Sequence, residues 1–158
     1  PDWSRGLGDV YKRQDIRKAM VLTIDRAAFN KILGHGEFIM SGALLPPPHG
    51  VWGMPPEVLK NVAGYHPDVA GNRAQAQKIM KKLGYGPDNP LKIKVATRNI
   101  AIYRDPAVLL IDHLKEIYIE GELDTVETSN WHAKVARKDY QVGLNLTGIG
   151  VDLSLIHI

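Results

Sequence analysis

The stretch that decides the fold begins with Leu91-Lys-Ile-Lys-Val-Ala-Thr97, where apolar residues alternate with lysines. This alternation predicts a strand that either has one wet, solvent-exposed face or lies at an edge of the sheet. The segments that follow it are predicted to be helix, strand, helix and strand: Asp105-Pro-Ala-Val-Leu-Leu-Ile-Asp-His-Leu-Lys-Glu-Ile117, Glu122-Leu-Asp-Thr-Val-Glu127, Asn130-Trp-His-Ala-Lys-Val-Ala-Arg137 and Tyr140-Gln-Val-Gly-Leu-Asn-Leu146. Strands that alternate with helices are typical of a parallel sheet. The sequence therefore predicts an α/β fold with a mostly parallel sheet flanked by helices.

Aspartates mark the predicted starts of three helices upstream of this stretch. The carboxylates of Asp15, Asp25 and Asp68 can each accept a hydrogen bond from a free N–H of the first helical turn. A short bend is predicted before Asp25, with one continuous helix as the alternative. Gly34 stands where a glycine commonly ends a helix.

The helix of the central stretch has its own start and stop signals. Asp105 followed by Pro106 predicts the start, because proline is common at the first helical position. Gly121 is predicted to end this helix, and Ser129 or Asn130 to cap the next one. The residues predicted to give the first helix its apolar side are Val108, Ile111, Leu114, Lys115 and Tyr118.

Composition limits the class of protein. The chain has 158 residues, 44% hydrophobic and 23% charged, which fits about one globular domain. No apolar run reaches the roughly 18 residues of a membrane-spanning helix. Cysteine is absent, which excludes disulfides, thiolate metal sites and a cysteine nucleophile. The net charge of +3 includes clustered lysines at 78, 81 and 82, but no aromatic residues interleave with them as in a single-strand nucleic-acid site.

Both ends of the chain look foreign to the rest. Residues 1–14 show no apolar periodicity, and residues 153–158, like them, resemble translated sequencing-adapter sequence. We expect both segments to be non-native and residues 15–152 to be an internal fragment of a longer protein.

No catalytic, metal or cofactor motif stands out. The six histidines lack metal-ligand spacing, and neither a phosphate-binding loop nor a Gly-x-Ser-x-Gly motif occurs. Gly148-Ile-Gly150 follows a predicted strand but is short. The sequence thus predicts no metal and no cofactor.

The segment Asp15-Ile-Arg-Lys-Ala-Met-Val-Leu-Thr-Ile-Asp-Arg26 resembles one found in extracellular solute-binding proteins of family five, the peptide- and nickel-type receptors of ABC importers. Further segments resemble the family in the same order: Gly42-Ala-Leu-Leu-Pro-Pro47, Tyr65-His-Pro-Asp-Val-Ala70 with Ile79-Met-Lys-Lys-Leu-Gly-Tyr85, Leu114 to Gly121 with Asn130-Trp131, and Asp139-Tyr140. The resemblance implies part of the C-terminal lobe of a type II periplasmic-binding-protein fold. It also implies a protein that is exported to the periplasm or held as a lipoprotein on the extracellular face of the membrane. It implies a binding protein rather than an enzyme, which delivers a peptide or another small solute to membrane permease subunits.

The resemblance also implies ligand-binding residues. Trp131 matches a tryptophan that lines the ligand pocket of peptide-binding members, with a core tryptophan as the alternative. Arg98 and Asn99 end the first strand, where the family places side chains that meet polar ligand groups or a carboxylate; a surface arginine is the alternative.

The end of the last strand departs from the family. Thr147, Gly148 and Gly150 lie where peptide binders carry a Trp-x-x-Asp pattern whose aspartate holds an α-ammonium group. Asp152 is near, but the pattern is absent, so a plain peptide ligand stays open. Thr147, Gly148 and Asp152 complete the predicted ligand-binding set.

Two other classes of function stay open on the sequence. A small α/β enzyme complete in this chain would place a catalytic cluster at the strand ends Thr97, Glu127 and Thr147. A basic nucleic-acid module would show steep salt dependence of binding.

Overall fold

The structure is a computed structural model that describes residues 3–38 and 53–145. The described part contains six helices and three strands, in the order α1 (Trp3–Thr23), α2 (Arg26–Leu33), α3 (Pro56–Leu59), α4 (Val69–Lys82), β1 (Leu91–Arg98), α5 (Ala101–Lys115), β2 (Ile119–Val126), α6 (Thr128–Ala136) and β3 (Val142–Gly143). None of the described helices has the length and apolar character needed to span a membrane.

The three strands form one parallel sheet in the order β2-β1-β3. β1 is central and pairs with β2 over its full length, from Leu91 opposite Ile119 to Arg98 opposite Val126. The predicted α/β class and the parallel sheet are therefore confirmed.

The last strand is shorter than predicted. Tyr140 precedes β3, and the predicted end at Leu146 lies outside the described residues. The side-chain oxygen Oε1 of Gln141 accepts the backbone N–H of Lys94 at 2.7 Å. A side chain thus takes a hydrogen-bonding position on β1 that a longer β3 would fill with its backbone.

The buried core forms two clusters that meet at α5. One joins α1 and α4 to the end of α5 and the start of β2; its fully or nearly buried members are Ala19, Leu22, Ala76, Met80, Leu114, Ile117 and Ile119. The other lies between α5 and the sheet and contains Val95, Ala107 and Ile111. The face of β1 that points away from α5 carries the exposed Lys92 and Lys94, so the predicted wet face is confirmed.

Two of the predicted caps are confirmed. Asp25 Oδ1 accepts the N–H of Ala28 at 2.9 Å, and Asp68 Oδ1 accepts the N–H of Gly71 at 2.9 Å. The predicted bend between α1 and α2 is present, and Gly34 is the C-cap of α2. Short-range capping chemistry was readable in the sequence because donor and acceptor lie within three residues of each other.

The predicted cap at Asp15 is wrong. α1 is one helix from Trp3 to Thr23, and Asp15 lies inside it. The ammonium nitrogen of Lys12 is 5.4 Å from the ring centre of Tyr85, so this residue of segment 1–14 contacts the end of α4. The helical geometry does not bear on the origin of residues 1–14 or 153–158, which stays a prediction.

The predicted start of α5 is also wrong. The helix begins at Ala101, and Pro106 is its sixth residue rather than its first. Proline there removes one intrahelical N–H donor. The first turn is nevertheless formed, because Tyr103 of that turn contacts the end of β1, as described below.

The end of α5 and the start of β2 differ from the prediction as well. α5 ends at Lys115, Tyr118 makes the turn with a φ of 63°, and Gly121 lies within β2 instead of ending the helix. A Cβ on Gly121 would be 2.9 Å from Ile111, so the glycine permits α5 to lie close against the strand. Val108, predicted to be apolar core, is 51% exposed, and Ala107 is buried in its place.

α6 lies on the sheet face opposite α5. It begins at Thr128 with Glu127 as N-cap, so the predicted caps Ser129 and Asn130 are wrong. Lys134 Nζ is 3.1 Å from Asp124 Oδ2 of β2, which ties α6 to that face.

Candidate functional site

The candidate site lies at the carboxyl edge of the sheet, where β1 and β2 end side by side. The N–H of Asn99 donates to the carbonyl oxygen of Val126 at 2.9 Å, so pairing continues one residue past the strand. α5 and α6 begin directly after these strand ends. Open parallel α/β sheets bind ligands at this edge, in the crevice formed by the loops after the strands.

Arg98 is the cationic group at this edge. Its guanidinium carbon is 4.6 Å from the ring centre of Tyr103, and its terminal nitrogen donates to the Tyr103 hydroxyl at 2.9 Å. Its Nε is buried and has no hydrogen-bond partner among the residues that the structure describes. A guanidinium has five N–H donors, and a buried donor without an acceptor costs about 1–3 kcal/mol. This Nε is therefore a buried, unsatisfied donor at the end of β1.

Asn99 connects the two loops. Its side-chain nitrogen donates to Glu127 Oε1 at 3.2 Å, and both residues are exposed. The sequence had placed Asn99 beside Arg98, and the structure adds Glu127 as its acceptor.

Thr97 and Tyr103 are site residues that the prediction of a ligand-binding set missed. Thr97 is buried, and its hydroxyl is 3.2 Å from both the Tyr103 and the Leu144 carbonyl oxygens. Thr97 therefore joins the start of α5 and the segment after β3 to the end of β1. The available sequence signal was its place on the inward-facing side of the strand, where a polar residue requires a partner.

Trp131 is 2% exposed in α6. This burial fits a tryptophan packed in the core, and a ligand contact by Trp131 stays a prediction. The other predicted ligand residues, Thr147, Gly148 and Asp152, lie outside the described residues. The structure thus brings Arg98 and Asn99 together at one edge and buries Trp131 in the helix that follows the neighbouring strand.

Another open cleft lies elsewhere, on the sheet face that α6 covers only in part. It encloses about 900 Å³ and contains none of the predicted ligand residues; its charged lining residues are Lys92, Lys94, Glu120, Glu122, Asp124, Lys134, Lys138 and Asp139. Several of these charges pair with one another, as Lys134 does with Asp124 and, at 3.9 Å, with Asp139. The cleft therefore presents mixed and largely balanced charge to solvent.

Across residues 3–38 and 53–145, the structure contains no group of three or more histidine, aspartate or glutamate side chains arranged to hold a metal ion. Within the described residues, the candidate site consists of Arg98 and Asn99 with their side-chain partners Tyr103 and Glu127.

Four residues of the segments that resemble the family make stabilising contacts away from the candidate site. Arg26 stacks on Tyr65, with its guanidinium carbon 4.0 Å from the ring centre, and it donates to the carbonyl oxygen of Gly64. Asp25 caps α2, and Asp68 caps α4. These four residues thus stabilise the starts of α2 and α4 and the loop before α4, and they are not part of the candidate site.

No protein-family model and no curated protein sequence matches the chain. Solved structures do match it. Haemophilus influenzae OppA in complex with the peptide RPPGFSPFR matches over 83% of this chain and 25% of that protein, with a TM-score of 0.68 and 20% identity. The chain has part of a periplasmic-binding-protein fold. This result confirms the fold that the resemblance implied.

Two further matches carry different ligands. Helicobacter pylori DppA, a periplasmic binding protein in complex with the peptide STSA, matches over 90% of this chain and 26% of its own length, with a TM-score of 0.64 and 18% identity. Staphylococcus aureus NikA with Ni(L-His)2 matches over 83% and 26%, with a TM-score of 0.60 and 21% identity. The chain spans about a quarter of the length of these binding proteins, and the shared part is the periplasmic-binding-protein fold described above.

Proposed function

We propose that the chain is part of an extracellular solute-binding protein of family five, the substrate-binding component of an ABC importer. The whole protein would capture a peptide or another small solute in a cleft between two lobes and deliver it to membrane permease subunits. It would act in the periplasm or as a lipoprotein on the extracellular face of the membrane. It would bind its solute without chemical change, and it would need no cofactor.

The observation that carries this proposal is the extent of the structural match. More than four fifths of the chain follows the fold of proteins that were solved with peptides or with nickel-histidine bound. The family's sequence motifs fall on the capping and stacking residues that hold this fold together, at Asp25, Arg26, Tyr65 and Asp68. The fold and the order of the motifs thus both support this proposal.

Arg98 is the residue proposed to hold a carboxylate of the solute. Its guanidinium contacts the Tyr103 ring and donates to the Tyr103 hydroxyl, and these contacts hold the side chain at the carboxyl edge of the sheet. Arginine can bind a carboxylate through two parallel hydrogen bonds, and such charge-assisted bonds are about twice as strong as neutral ones. Asn99, Trp131, Thr147, Gly148 and Asp152 complete the proposed ligand-binding set.

Calorimetric titration of the longer protein that contains this sequence tests the proposal. A panel of peptides and other solutes identifies a ligand that has a free carboxylate, and the Arg98→Gln variant is then titrated with it. We expect Kd to rise roughly 10- to 100-fold, because a charge-assisted hydrogen bond contributes about 1.5–3 kcal/mol.

A matched arginine and a matched ligand provide the controls. Arg104 is exposed and pairs with its neighbour Asp105 at 3.6 Å, so Arg104→Gln should leave Kd unchanged. A ligand whose carboxylate is amidated should bind wild type and Arg98→Gln equally. An equal loss of affinity for the free and amidated ligands on mutation would exclude carboxylate binding by Arg98, and the absence of any ligand from the panel would oppose the proposed function itself.

A further inference from the structure

His113 lies at the junction of four helices. It is near the end of α5 and only 6% exposed. The hydroxyl of Thr23, the last residue of α1, donates to the His113 carbonyl oxygen at 3.2 Å. Arg73 of α4 donates through Nε to the Thr23 carbonyl oxygen at 3.3 Å. The backbone around His113 is thus tied to α1 and, through it, to α4.

The imidazole ring itself contacts α2. Nδ1 accepts the backbone N–H of Asp25, the N-cap of α2, at 3.4 Å. The ring also meets Phe29 of α2 edge to face, with 5.2 Å between ring centres and 71° between planes. No residue of α2 is fully buried, and these two contacts join α2 to α5. An acceptor at Nδ1 requires the neutral ring with its proton on Nε2.

The surroundings favour the neutral ring. Burial and then the positive charge of Arg73 lower the pKa of His113 below its ordinary value of 6.5, while the carboxylates of Asp25, Asp112 and Glu116 act in the opposite direction. These groups come from α4, the N-cap of α2 and α5; α1 contributes the uncharged Thr23. A proton on Nδ1 would therefore be poorly solvated and would lie near another cation.

We propose that His113 is an acid-sensitive latch that holds α2 against α5. When the ring is neutral, Nδ1 accepts the Asp25 N–H and α2 is docked. When a proton binds to the Nδ1 lone pair, the Asp25 N–H loses its acceptor and the imidazolium is stabilised by release of α2 into contact with water. The cluster between α1 and α4 has an apolar buried core and stays packed.

The direction of the pH effect follows from proton linkage. The released state binds a proton with an ordinary affinity, and the docked state binds it more weakly. The docking free energy is therefore fully present above about pH 6.5 and is lost as the pH falls through the lowered pKa of the docked state. The latch depends only on contacts within the chain and does not rest on the proposed function.

Hydrogen exchange of individual backbone amides between pH 7.5 and 5.0, corrected for intrinsic exchange, tests the latch in the 158-residue chain. We expect protection factors of the α2 amides of Phe29 to Leu33 to fall several-fold across this range. The amides of Ala76 and Met80, in the core between α1 and α4, should change less than twofold. In the wild-type chain, the chemical shift of the Asp25 amide nitrogen should change with pH, and the midpoint of this change should equal that of the His113 ring protons.

Two variants separate the latch from general acid effects. His113→Gln keeps a side-chain acceptor but cannot titrate, so its α2 protection should not depend on pH. His66→Gln is the matched control, because His66 Nδ1 also accepts a backbone N–H, from Asp68 at 3.2 Å, but is exposed. It should behave as wild type. Uniform loss of protection in α2 and α4, pH-independent α2 protection in wild type, or an Asp25 midpoint different from that of His113 would each overturn the proposal.

Discussion

The guanidinium carbon of Arg26 lies 4.0 Å from the centre of the Tyr65 ring, across a gap of 38 residues in the chain. The same guanidinium donates to the carbonyl oxygen of Gly64. Arg26 is the first residue of α2, and Tyr65 lies in the loop before α4. The contact therefore joins two segments that resemble family motifs, and it explains structurally why an arginine and an aromatic residue occur at these positions.

Replacement of Arg26 should destabilise the chain. We expect Arg26→Ala to lower the free energy of unfolding by roughly 1–3 kcal/mol, the sum of a partly buried cation–π contact and a hydrogen bond from a charged donor. Urea denaturation measures this change. Arg17→Ala, at an exposed position of α1, is the control and should change stability by less than about 0.5 kcal/mol. Equal effects of the two variants would contradict a stabilising role for the Arg26–Tyr65 contact.

Two glycines with positive φ should respond differently to alanine. Gly64 has a φ of 82°, and a Cβ there would lie 2.4 Å from the Val21 carbonyl oxygen; Gly36 has a φ of 86° but open space around it. We expect Gly36→Ala to cost about 1–2 kcal/mol for the left-handed backbone alone, and Gly64→Ala to cost roughly 3 kcal/mol or more. Denaturation midpoints measure both. A Gly64→Ala variant as stable as Gly36→Ala would show that the loop does not lie against α1.

Which side of α5 is buried can be tested by truncating two of its side chains. Leu114 is fully buried and Val108 is half-exposed. Leu114→Ala should cost about 2–5 kcal/mol, as large-to-small changes in a core do, whereas Val108→Ala should change stability by less than about 0.5 kcal/mol. Thermal unfolding of the two variants checks the difference. A large loss of stability on truncating Val108 would show that Val108 is buried, as the sequence pattern predicted.

Thr97 should matter for both stability and the site, because its hydroxyl reaches the carbonyl oxygens of Tyr103 and Leu144. Thr97→Val keeps the shape and removes the donor, which should cost about 1–3 kcal/mol. Thr125 is opposite Thr97 in the sheet and is exposed, so Thr125→Val is a matched control with an expected change below about 0.5 kcal/mol. Similar losses from both variants in urea denaturation would argue against the buried hydrogen bond.

Local signals in the sequence predicted much of the fold. The caps at Asp25 and Asp68 depend on residues within one helical turn, so the pattern alone was sufficient. The alternation along β1 indicated both the strand and its wet face. The parallel arrangement followed from the order of strands and helices, which leaves few other ways to connect them.

The errors arose where distant contacts outweigh local preference. Asp105 and Pro106 form a strong local start signal, but α5 begins five residues before Pro106, where Tyr103 of its first turn contacts Arg98 and Thr97. Gly121 is a local stop signal, but its close approach to Ile111 places it in β2 instead.

The candidate site shows the same limit. Arg98 and Asn99 could be selected because they end a strand, which is a property of the sequence pattern. Their partners Tyr103 and Glu127 could not be assigned, since one lies on the next helix and the other follows a neighbouring strand. The hydrogen bond of Arg98 to Tyr103 and its buried Nε, unpartnered among the described residues, appear only once the side chain is placed.

The central claim is that this chain is part of a two-lobed protein that closes on a small solute. Small-angle scattering of the longer protein, recorded with and without saturating amounts of peptides, sugars and nickel–histidine, tests it most directly. The account predicts a smaller radius of gyration with at least one of these solutes, because lobe closure buries the ligand in a more compact shape. An unchanged radius of gyration with every solute that binds would contradict it.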